Sequence, residues 1–245
     1  MEDLIFGRQP VKETLLAKSR QVQKVLVADN CRGSIVDEIV QLAKNNGVLV
    51  QFVPLSRISG LVRDELHQGV AAYVAPQAFL ELAELIAQAY AKEKNPVLVA
   101  LDELKDPVNV GVILRSIHCL GGQGMILPVW RTAPLTQSVG KASSGAIDLV
   151  PIAQVKNLVS ALEILKKEKF WVVGAEAQGE SCFKTDLKMP LVLVVGSEGA
   201  GLRRLVKEHC DFIVKIPQRG EAITSLNVAQ AASILLYEIL RQKEG

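Results

Sequence analysis

The amino-acid sequence contains no long apolar run. Its longest apolar stretches, such as LVLVVG and PVLVALD, have the length of a strand and fall far short of the roughly 20 residues of a transmembrane helix. The N-terminal MEDLIFGRQP lacks a basic stretch followed by an apolar region, which is the pattern of a secretory signal. We therefore expect no transmembrane helix, no membrane partner and a cytoplasmic location.

Cysteine and histidine are scarce and widely scattered. The residues concerned are Cys31, Cys119, Cys182, Cys210, His67, His118 and His209. They form no CxxC pair, no dense cysteine framework and no HExxH motif. We therefore expect reduced cysteines that mainly pack against neighbours, and no metal site.

Excess charge and aromatic side chains are also lacking. The formal net charge is +2 and aromatic residues make up 4% of the chain, so charge alone neither requires nor opposes a nucleic-acid partner. What is present is 49% hydrophobic and 22% charged residues over 245 positions. This composition is typical of a folded protein with one large or two smaller domains.

Residues 1–75 are predicted to form a compact α/β unit. Apolar periodicity predicts helices in PVKETLLAKS and SIVDEIVQLAKNNG, strands in VQKVLVAD, VLVQFV and QGVAAYVA, and a short helix before the last strand. Residues 76–95 contain FLELAELIAQAYAKEK. We expect them to form a helical linker that belongs to neither core and ends at Pro96.

Strands and helices alternate again in residues 96–245. The predicted strands are VLVALD, GMILP, FWVVGAE, LVLVVG and FIVKIP, and the predicted helices are NVGVILRSIHCLGG, VKNLVSALEILKKE, LRRLVKEH and a C-terminal helix that starts near Ser225. A polar loop region follows GMILP. This alternation predicts an α/β fold with a mostly parallel sheet covered on both faces, in which ligands collect at the carboxyl ends of the strands.

The loop after VLVALD leads into a helix with a candidate anion-binding residue. In DPVNVGVILRS, Asn109 is expected to cap the helix, and Arg115 lies among apolar residues. An arginine in that setting either binds an anion or covers its apolar neighbours with its aliphatic stem.

Two further loops predict a pocket. Gly196, Gly199 and Gly201 surround Glu198 after LVLVVG, in a pattern that is neither a dinucleotide-binding nor a Walker phosphate loop. Because the carboxylate of Glu198 would repel a phosphate, this loop favours a cationic or neutral ligand. In IPQRGEAITSLN, the polar residues Ser225 and Asn227 either cap the terminal helix or point into a pocket shared with the glycine-rich loop.

The three loops together resemble the motifs of the SpoU/TrmH group of SPOUT-superfamily methyltransferases, which transfer a methyl group from S-adenosylmethionine to a ribose 2'-hydroxyl of RNA. DPVNVGVILR, LVVGSEGAGL and IPQRGEAITSLNVAQAASILLYE occur in the family's order within residues 96–245. The N-terminal unit resembles the L30e-like RNA-binding domain of many members. IFGRQPVKETLLA, HQGVAA and VPIAQVKNL resemble the branch that methylates a guanosine in the peptidyl-transferase P-loop of 23S ribosomal RNA.

The resemblance implies a deep trefoil knot in the C-terminal domain, which would be a rare exception among protein folds. It implies S-adenosylmethionine bound in the knot, and a homodimer through this domain with each pocket completed across the interface. The implied cofactor-binding residues are Gly196, Gly201, Ile216 and Leu226, with KASSGA nearby. The implied catalytic residues are Asn109, Arg115, Glu198, Ser225 and Asn227.

The family's third motif is altered in this sequence. Four residues separate Gly220 from Ser225 where the family has three, Gln218 replaces a methionine, and Ala229 replaces a serine. The family's candidate base is Arg115, but a guanidinium is protonated at neutral pH. We therefore favour Arg115 as the group that binds a phosphate and stabilises the forming alkoxide, over a role as general base.

RNA binding by the N-terminal unit is assigned to its basic side chains. The candidates are Arg8, Lys12, Lys24 and Arg32, together with Lys18 and Arg20, and each is otherwise a solvated surface cation. Because aromatic residues are scarce, shape and backbone contacts are expected to dominate. Three alternatives stay open: the same reaction on transfer RNA, a non-catalytic RNA-binding or ribosome-assembly protein, and an unrelated adenine-nucleotide-dependent enzyme.

Overall fold

The computed structural model describes residues 3–17, 20–62, 67–76, 78–135, 137–219 and 225–245. Its internal contacts divide the chain into two compact units. Unit 1 comprises Met1–Ala78 and Leu135–Leu149, and unit 2 comprises Phe79–Pro134 and Val150–Gly245. Leu135–Leu149 therefore groups with the N-terminal residues, although it lies far along the sequence.

Unit 1 contains a four-stranded sheet in its described residues. The strands are β1 (Asp3–Phe6), β2 (Val22–Ala28), β3 (Leu49–Val53) and β4 (Val70–Val74), in the order β1-β4-β2-β3. β2 and β3 pair in parallel, whereas β4 is antiparallel to both β1 and β2. The helices α1 (Arg8–Ala17), α2 (Ser34–Asn45) and α3 (Leu55–Val62) follow β1, β2 and β3.

Apolar periodicity explains why α2 packs on this sheet. Val36, Ile39 and Ala43 are buried and recur at the spacing of one helical face. Asp37 in the first turn and Lys44 in the last turn complement the helix dipole. The predicted helices and strands of this unit are confirmed, but β1 was not predicted, because the four-residue DLIF is too short to show alternation.

Unit 2 contains a parallel sheet with six strands among the described residues. They are β5 (Val97–Leu101), β6 (Gly124–Pro128), β7 (Ile152–Val155), β8 (Trp171–Ser181), β9 (Leu191–Val195) and β10 (Phe212–Lys215). The order is β10-β8-β9-β5-β6-β7, and every neighbouring pair is parallel. All residues of β5, β6 and β9 are buried, as expected for a sheet covered on both faces.

The helices of unit 2 precede, separate and follow these strands along the chain. They are α4 (Leu82–Lys92), α5 (Pro107–Cys119), α7 (Leu158–Lys167), α8 (Arg204–Glu208) and α9 (Val228–Glu244). The prediction of a parallel α/β domain is confirmed, whereas the trefoil knot stays a prediction. Among the described residues, no helix combines the length and the hydropathy that a bilayer crossing needs.

One sequence-based expectation about α4 is wrong. The segment is helical as predicted, but Leu82, Leu85, Ile86 and Ala89 are buried in the core of unit 2. Leu80 also pairs with Ala153 beside β7. The helix is therefore part of that core, and not a linker outside both cores.

The region expected to be a polar loop after β6 contains regular structure. It includes α6 (Gln137–Ala142), a short 3-10 helix (Ala146–Asp148) and β7. The first two lie in unit 1, where the Thr14 hydroxyl donates to Oδ2 of Asp148 at 2.7 Å. Burial raises the pKa of Asp148 above its ordinary value, and the hydrogen bond from Thr14 opposes this shift.

Candidate active site

Three of the predicted catalytic residues form one hydrogen-bonded cluster in unit 2. Asn109 donates from Nδ2 to Oε1 of Glu198 at 2.6 Å. Asn227 donates from Nδ2 to the same oxygen at 2.8 Å and to Oδ1 of Asn109 at 3.0 Å. One carboxylate oxygen therefore links residues from three separate loops.

The two amide side chains of this cluster lie at the beginnings of two helices, and one of them is a helix cap. Asn227 caps α9, because its Oδ1 accepts the backbone N–H groups of Ala229 at 2.9 Å and Gln230 at 3.3 Å. Its Nδ2 is thereby aimed at Glu198. The expectation that Asn109 caps α5 is wrong: Asp106 is the cap and accepts from the N–H groups of Val108 and Asn109. Asn109 lies in the first turn of α5, and its side chain bonds to Glu198 and Asn227.

The glycine-rich loop after β9 forms a tight turn that needs two of its glycines. Ser197 and Gly201 exchange backbone hydrogen bonds of 3.1 and 3.0 Å. A Cβ atom at Gly196 would lie 2.3 Å from the backbone carbonyl carbon and oxygen of Gly201, and Gly201 itself has a φ of 66°. The turn therefore depends on a close backbone approach at Gly196 and on a left-handed conformation at Gly201.

A cavity of about 670 Å³ lies at the carboxyl ends of β8, β9 and β10. The four predicted cofactor-binding residues line it, as do three of the predicted catalytic residues: Gly196, Gly201, Ile216, Leu226, Glu198, Ser225 and Asn227. Its volume suits a ligand the size of a nucleoside derivative. Its described lining carries two carboxylates, those of Glu176 and Glu198, and no lysine or arginine.

Arg115, a further predicted catalytic residue, follows Asn109 on α5. It lies on the exposed side of α5. Six helical positions after Asn109, it projects about 120° away around the helix axis. It is not among the described residues that line the cavity. The catalytic role of Arg115 therefore stays a prediction.

Glu176 is a residue of the cavity that sequence reasoning missed. Its Oε1 accepts the backbone N–H of Leu202 at 2.9 Å, and its Oε2 accepts from Nζ of Lys207 at 2.6 Å. It thus holds the end of the glycine-rich turn. The available signal was its position in FWVVGAE, at the end of a predicted parallel strand, where ligands collect.

The remaining sequence-based expectations about the site have different outcomes. The altered spacing between Gly220 and Ser225 falls on residues 220–224, which are outside the described residues, as is Lys18. Gln218 lines the cavity. KASSGA, residues 141–146, belongs to unit 1.

The basic side chains assigned to RNA binding are distributed over unit 1. Arg8 donates from Nε to the carbonyl oxygen of Gln68 at 3.2 Å and from Nη2 to Sγ of Cys31 at 3.3 Å, so it lies beside Arg32. Lys12 pairs with Glu38, and Nζ of Lys24 lies 5.1 Å from the centroid of the Tyr73 ring. Arg20 pairs with Asp3 and Asp148.

Arg8, Lys12 and Arg32 lie close together, whereas Lys24 and Arg20 lie elsewhere in unit 1. Arg8 and Lys12 are one turn apart on α1, and Arg8 contacts the loop that carries Arg32. Lys24, by contrast, lies near the beginning of β2. Arg20 serves mainly to hold acidic residues of its own unit.

Comparison with protein families matches nearly the whole chain. Residues 96–237 match the SpoU rRNA Methylase family. Residues 4–80 match the family described as RNA 2'-O ribose methyltransferase substrate binding. One match lies on each side of α4 in the sequence.

Relatives of similar length carry consistent names. A protein of Staphylococcus saprophyticus named as a TrmH family tRNA/rRNA methyltransferase is 43% identical over 243 residues, which is 99% of this chain and 96% of that protein. Bacillus subtilis YacO, named in the same way, is 41% identical over 242 residues, or 98% of this chain and 96% of that protein.

Solved structures of similar fold include enzymes with bound cofactor. The SpoU methyltransferase AviRb of Streptomyces viridochromogenes, solved with AdoMet, superimposes with a TM-score of 0.84 at 25% identity, covering 99% of this chain and 91% of that one. An AdoMet-bound rRNA methyltransferase of Sinorhizobium meliloti gives a TM-score of 0.78 at 25% identity, covering 98% and 87%.

The fold and the cavity thus define a methyltransferase domain joined to an RNA substrate-binding domain. The chain belongs to the SpoU/TrmH family of RNA 2'-O-ribose methyltransferases, which use S-adenosylmethionine.

Proposed function

We propose that this chain transfers a methyl group from S-adenosylmethionine to the ribose 2'-hydroxyl of a guanosine in the P-loop of 23S ribosomal RNA. The observation that carries the reaction is the cluster of Asn109, Glu198 and Asn227 at the rim of the 670 Å³ cavity. The ribosomal target is supported by the HQGVAA and VPIAQVKNL phrases and by the rRNA methylase family match.

The cavity fits S-adenosylmethionine better than a phosphorylated nucleotide. Its described lining has no lysine or arginine, and because Glu176 pairs with Lys207, the carboxylate of Glu198 is the one that favours a positively charged ligand. The close approach of Gly196 to Gly201 leaves backbone groups, and not side chains, facing the space. We assign Gly196, Gly201, Ile216 and Leu226 to hold the cofactor, whose sulfonium supplies an electrophilic methyl group.

The chain's own residues must orient the ribose and assist the loss of the proton from its 2'-hydroxyl. The cluster holds Glu198 by two amide donors at one oxygen, which leaves its Oε2 for a hydroxyl of the substrate. Ser225 lines the same cavity and supplies a second hydroxyl-binding group. Fixing reactants in a productive geometry lowers a barrier by roughly 7–11 kcal/mol in the best cases, so positioning carries much of the catalysis.

Arg115 enters this scheme through a second copy of the chain. Val108 and Val112 are 54% and 37% exposed and share one side of α5 with Arg115. Ile234 and Tyr237 of α9 are 40% and 58% exposed. Apolar side chains exposed together mark association surfaces. We assign this surface to a homodimer in which Arg115 of one protomer binds a substrate phosphate and stabilises the alkoxide in the partner's pocket.

Transfer of labelled methyl groups tests the reaction and its substrate together. Unmodified large ribosomal RNA and transfer RNA are incubated in parallel with labelled S-adenosylmethionine, and the product nucleoside is identified. We expect 2'-O-methylguanosine in the ribosomal RNA alone. Label in transfer RNA would keep the chemistry and overturn the target, whereas RNA binding without label in either RNA would favour a non-catalytic binding protein.

The role of Arg115 is tested by Arg115→Lys and Arg115→Gln. Lysine keeps the positive charge, so substantial turnover at neutral pH in Arg115→Lys but not in Arg115→Gln supports electrostatic stabilisation. Equal loss in both variants would favour a role that requires the guanidinium itself.

A further inference from the structure

A second cavity of unit 2 lies at the carboxyl ends of β5, β6 and β7. Its volume is about 640 Å³. Its lining combines an exposed indole, four cations and one carboxylate. These are Trp130, Arg131, Lys156, Arg203, Arg204 and Glu103. We refer to these six residues as the Trp130 pocket.

Trp130 presents its ring to solvent from a loop fixed at both ends. Its side chain is 72% exposed, which is unusual for so large an apolar group. The backbone N–H of Val129 donates to the carbonyl oxygen of Val155 at 2.9 Å, and that of Ala133 donates to Leu104 at 2.8 Å. The other tryptophan, Trp171, stacks on Phe212 with ring centroids 5.2 Å apart. Trp130 belongs to neither ring pair found among the described residues.

Two residues of the Trp130 pocket adopt backbone conformations that non-glycine residues rarely adopt. The φ angles of Glu103 and Arg131 are 58° and 64°. Arg131 donates from Nη1 to Oε1 of Glu103 at 2.9 Å, and this hydrogen bond lowers the pKa of Glu103 although burial opposes it. Such conformations cluster at binding and catalytic sites. Both residues line the same cavity as the indole of Trp130.

Three of the four cations are available to an anionic ligand. Arg203 is the exception, because its Nε already donates to Oδ1 of the buried Asp102 at 2.6 Å. Arg131 and Arg204, by contrast, have side chains that are 69% and 80% exposed. Their ion pairs with carboxylates are of the exposed kind that contributes little to stability, so a phosphate can compete. Lys156 is exposed directly after β7.

Two loops connect the Trp130 pocket with the candidate active site. The loop after β5 carries Glu103 in the pocket and Asn109 in the hydrogen-bonded cluster. The loop after β9 carries Glu198 in the cluster and Arg204 in the pocket. Arg204 follows Glu198 by six positions, so the two lie at most about 20 Å apart along the chain, which is the reach of a few nucleotides.

We propose that the Trp130 pocket binds a nucleotide that flanks the methylated one, with its base stacked on Trp130 and its phosphates contacted by Arg131, Lys156 and Arg204. This inference rests on the proposed function in that it takes RNA as the substrate. A rigid exposed aromatic ring bordered by cations is how proteins bind unpaired nucleotides. One such platform is compatible with the low aromatic content of the chain.

RNA binding by matched variants tests the proposal. Dissociation constants for the unmodified RNA that the wild-type protein methylates are measured between about 50 and 200 mM salt. Trp130→Ala is expected to weaken binding about tenfold with an unchanged salt slope, and Trp130→Phe to restore most of it. Lys156→Gln is expected to reduce the salt slope by about 0.7. Lys167→Gln, at the other end of α7, is the control and should match the wild type.

Kinetic readouts separate this site from the catalytic one. In Trp130→Ala we expect a higher KM for RNA with kcat and S-adenosylmethionine affinity unchanged, because binding that is equal in ground and transition states is lost. Wild-type affinity in both Trp130→Ala and Lys156→Gln would overturn the proposal, as would a loss of RNA binding accompanied by a loss of cofactor binding. A wild-type protein that methylates no RNA would instead overturn the proposed function.

Discussion

At the scale of single residues, Glu198 organises the candidate active site. Its Oε1 accepts two amide N–H groups, from Asn109 at 2.6 Å and Asn227 at 2.8 Å. Asn109 is 5% exposed, so water cannot readily replace a lost acceptor. Hydrogen bonds to ionised groups are stronger than neutral ones.

Removal of this carboxylate should therefore impair catalysis and leave the buried amide of Asn109 without its acceptor. We expect Glu198→Ala to lower kcat/KM by about ten- to a hundredfold, the effect of losing hydrogen bonds to a charged group. Glu198→Gln keeps a neutral acceptor and should retain more activity. Steady-state methyl transfer measures both, with the exposed Glu163→Ala as control. Wild-type activity in Glu198→Ala would contradict a role for the cluster.

Gly196 shows how one missing side chain shapes the cavity. A Cβ atom there would meet backbone atoms of Gly201 and Leu202 at 2.3–2.6 Å, and backbone cannot move aside as a flexible side chain can. We expect Gly196→Ala to lower the stability of unit 2 by about 1–3 kcal/mol, as overpacking does, and to abolish S-adenosylmethionine binding.

Gly60→Ala is the matched control for this substitution. Gly60 lies in α3, and a Cβ atom there would have no neighbour within 4 Å. Alanine is favoured over glycine inside a helix by about 0.5–1 kcal/mol. Thermal unfolding and cofactor titration should therefore show a loss of stability and of cofactor binding in Gly196→Ala and no such loss in Gly60→Ala. Cofactor binding by Gly196→Ala at wild-type strength would show that the turn tolerates the added methyl group.

At the scale of elements, the start of α9 combines a structural and a catalytic role in one side chain. Asn227 caps the helix through Oδ1 and joins the cluster through Nδ2. Asn227→Asp keeps a capping oxygen but places a second carboxylate beside Glu198, whereas Asn227→Ala removes both functions. We expect the alanine variant to lose activity and the roughly 1 kcal/mol of stability that a helix cap contributes, and the aspartate variant to lose activity while it keeps the cap. Thermal unfolding and methyl-transfer assays distinguish the two. Equal melting temperatures would show that the cap is dispensable.

The elements themselves were largely predictable, because apolar periodicity reports local geometry. α2 shows its buried face directly in Val36, Ile39 and Ala43, and LVLVVG shows a fully buried strand. β1 and β7, with four residues each, were missed, whereas β10 of the same length was predicted from the longer run FIVKIP. The status of α4 was misjudged because an amphipathic helix does not reveal which core it joins.

The candidate site was predictable in composition but not in arrangement. The motifs placed Gly196, Glu198, Ser225 and Asn227 at one cavity, as strand-end loops of a parallel sheet allow. They did not show that Asp106 caps α5 and frees Asn109, since both residue types are good caps.

At the scale of the whole molecule, each unit has a hydrophobic core among its described residues, and these two cores share no residue. One contains Val25, Ile39 and Ile58 of unit 1, and the other contains Leu98, Ile126 and Val192 of unit 2. The cavity assigned to the cofactor lies wholly in unit 2. Cofactor binding should therefore stabilise unit 2 and leave unit 1 unaffected.

Calorimetry with and without S-adenosylmethionine tests this separation. A ligand at a hundred times its Kd stabilises the folded state by about 2.7 kcal/mol, which corresponds to an upward shift of roughly 5–10 °C in the Tm of a domain of this size. We expect one part of the unfolding profile to shift and the rest to stay in place. A shift of the entire profile would show that the two units unfold as one.

The proposed homodimer can be tested by mixing two impaired variants, which should together recover activity. If Arg115 acts in the partner's pocket, a dimer of one Arg115→Gln chain and one Glu198→Ala chain contains one intact site and one doubly altered site. Random mixing makes half of the dimers mixed, so about a quarter of wild-type activity should return, as two-fold symmetry requires. If Arg115 acts within its own chain, no site is intact and the mixture stays inactive.

Variants of two exposed aromatic residues show whether α9 carries the dimer contact. Tyr237 on α9 is 58% exposed and Phe183, beyond β8, is 68% exposed. Tyr237→Glu places a charge in the proposed interface, where an unpaired buried charge is strongly unfavourable. It should abolish the restored activity and give a species of single-chain mass in analytical ultracentrifugation. Phe183→Glu should leave both unchanged. Restored activity that survives Tyr237→Glu would place the contact between protomers on a different surface.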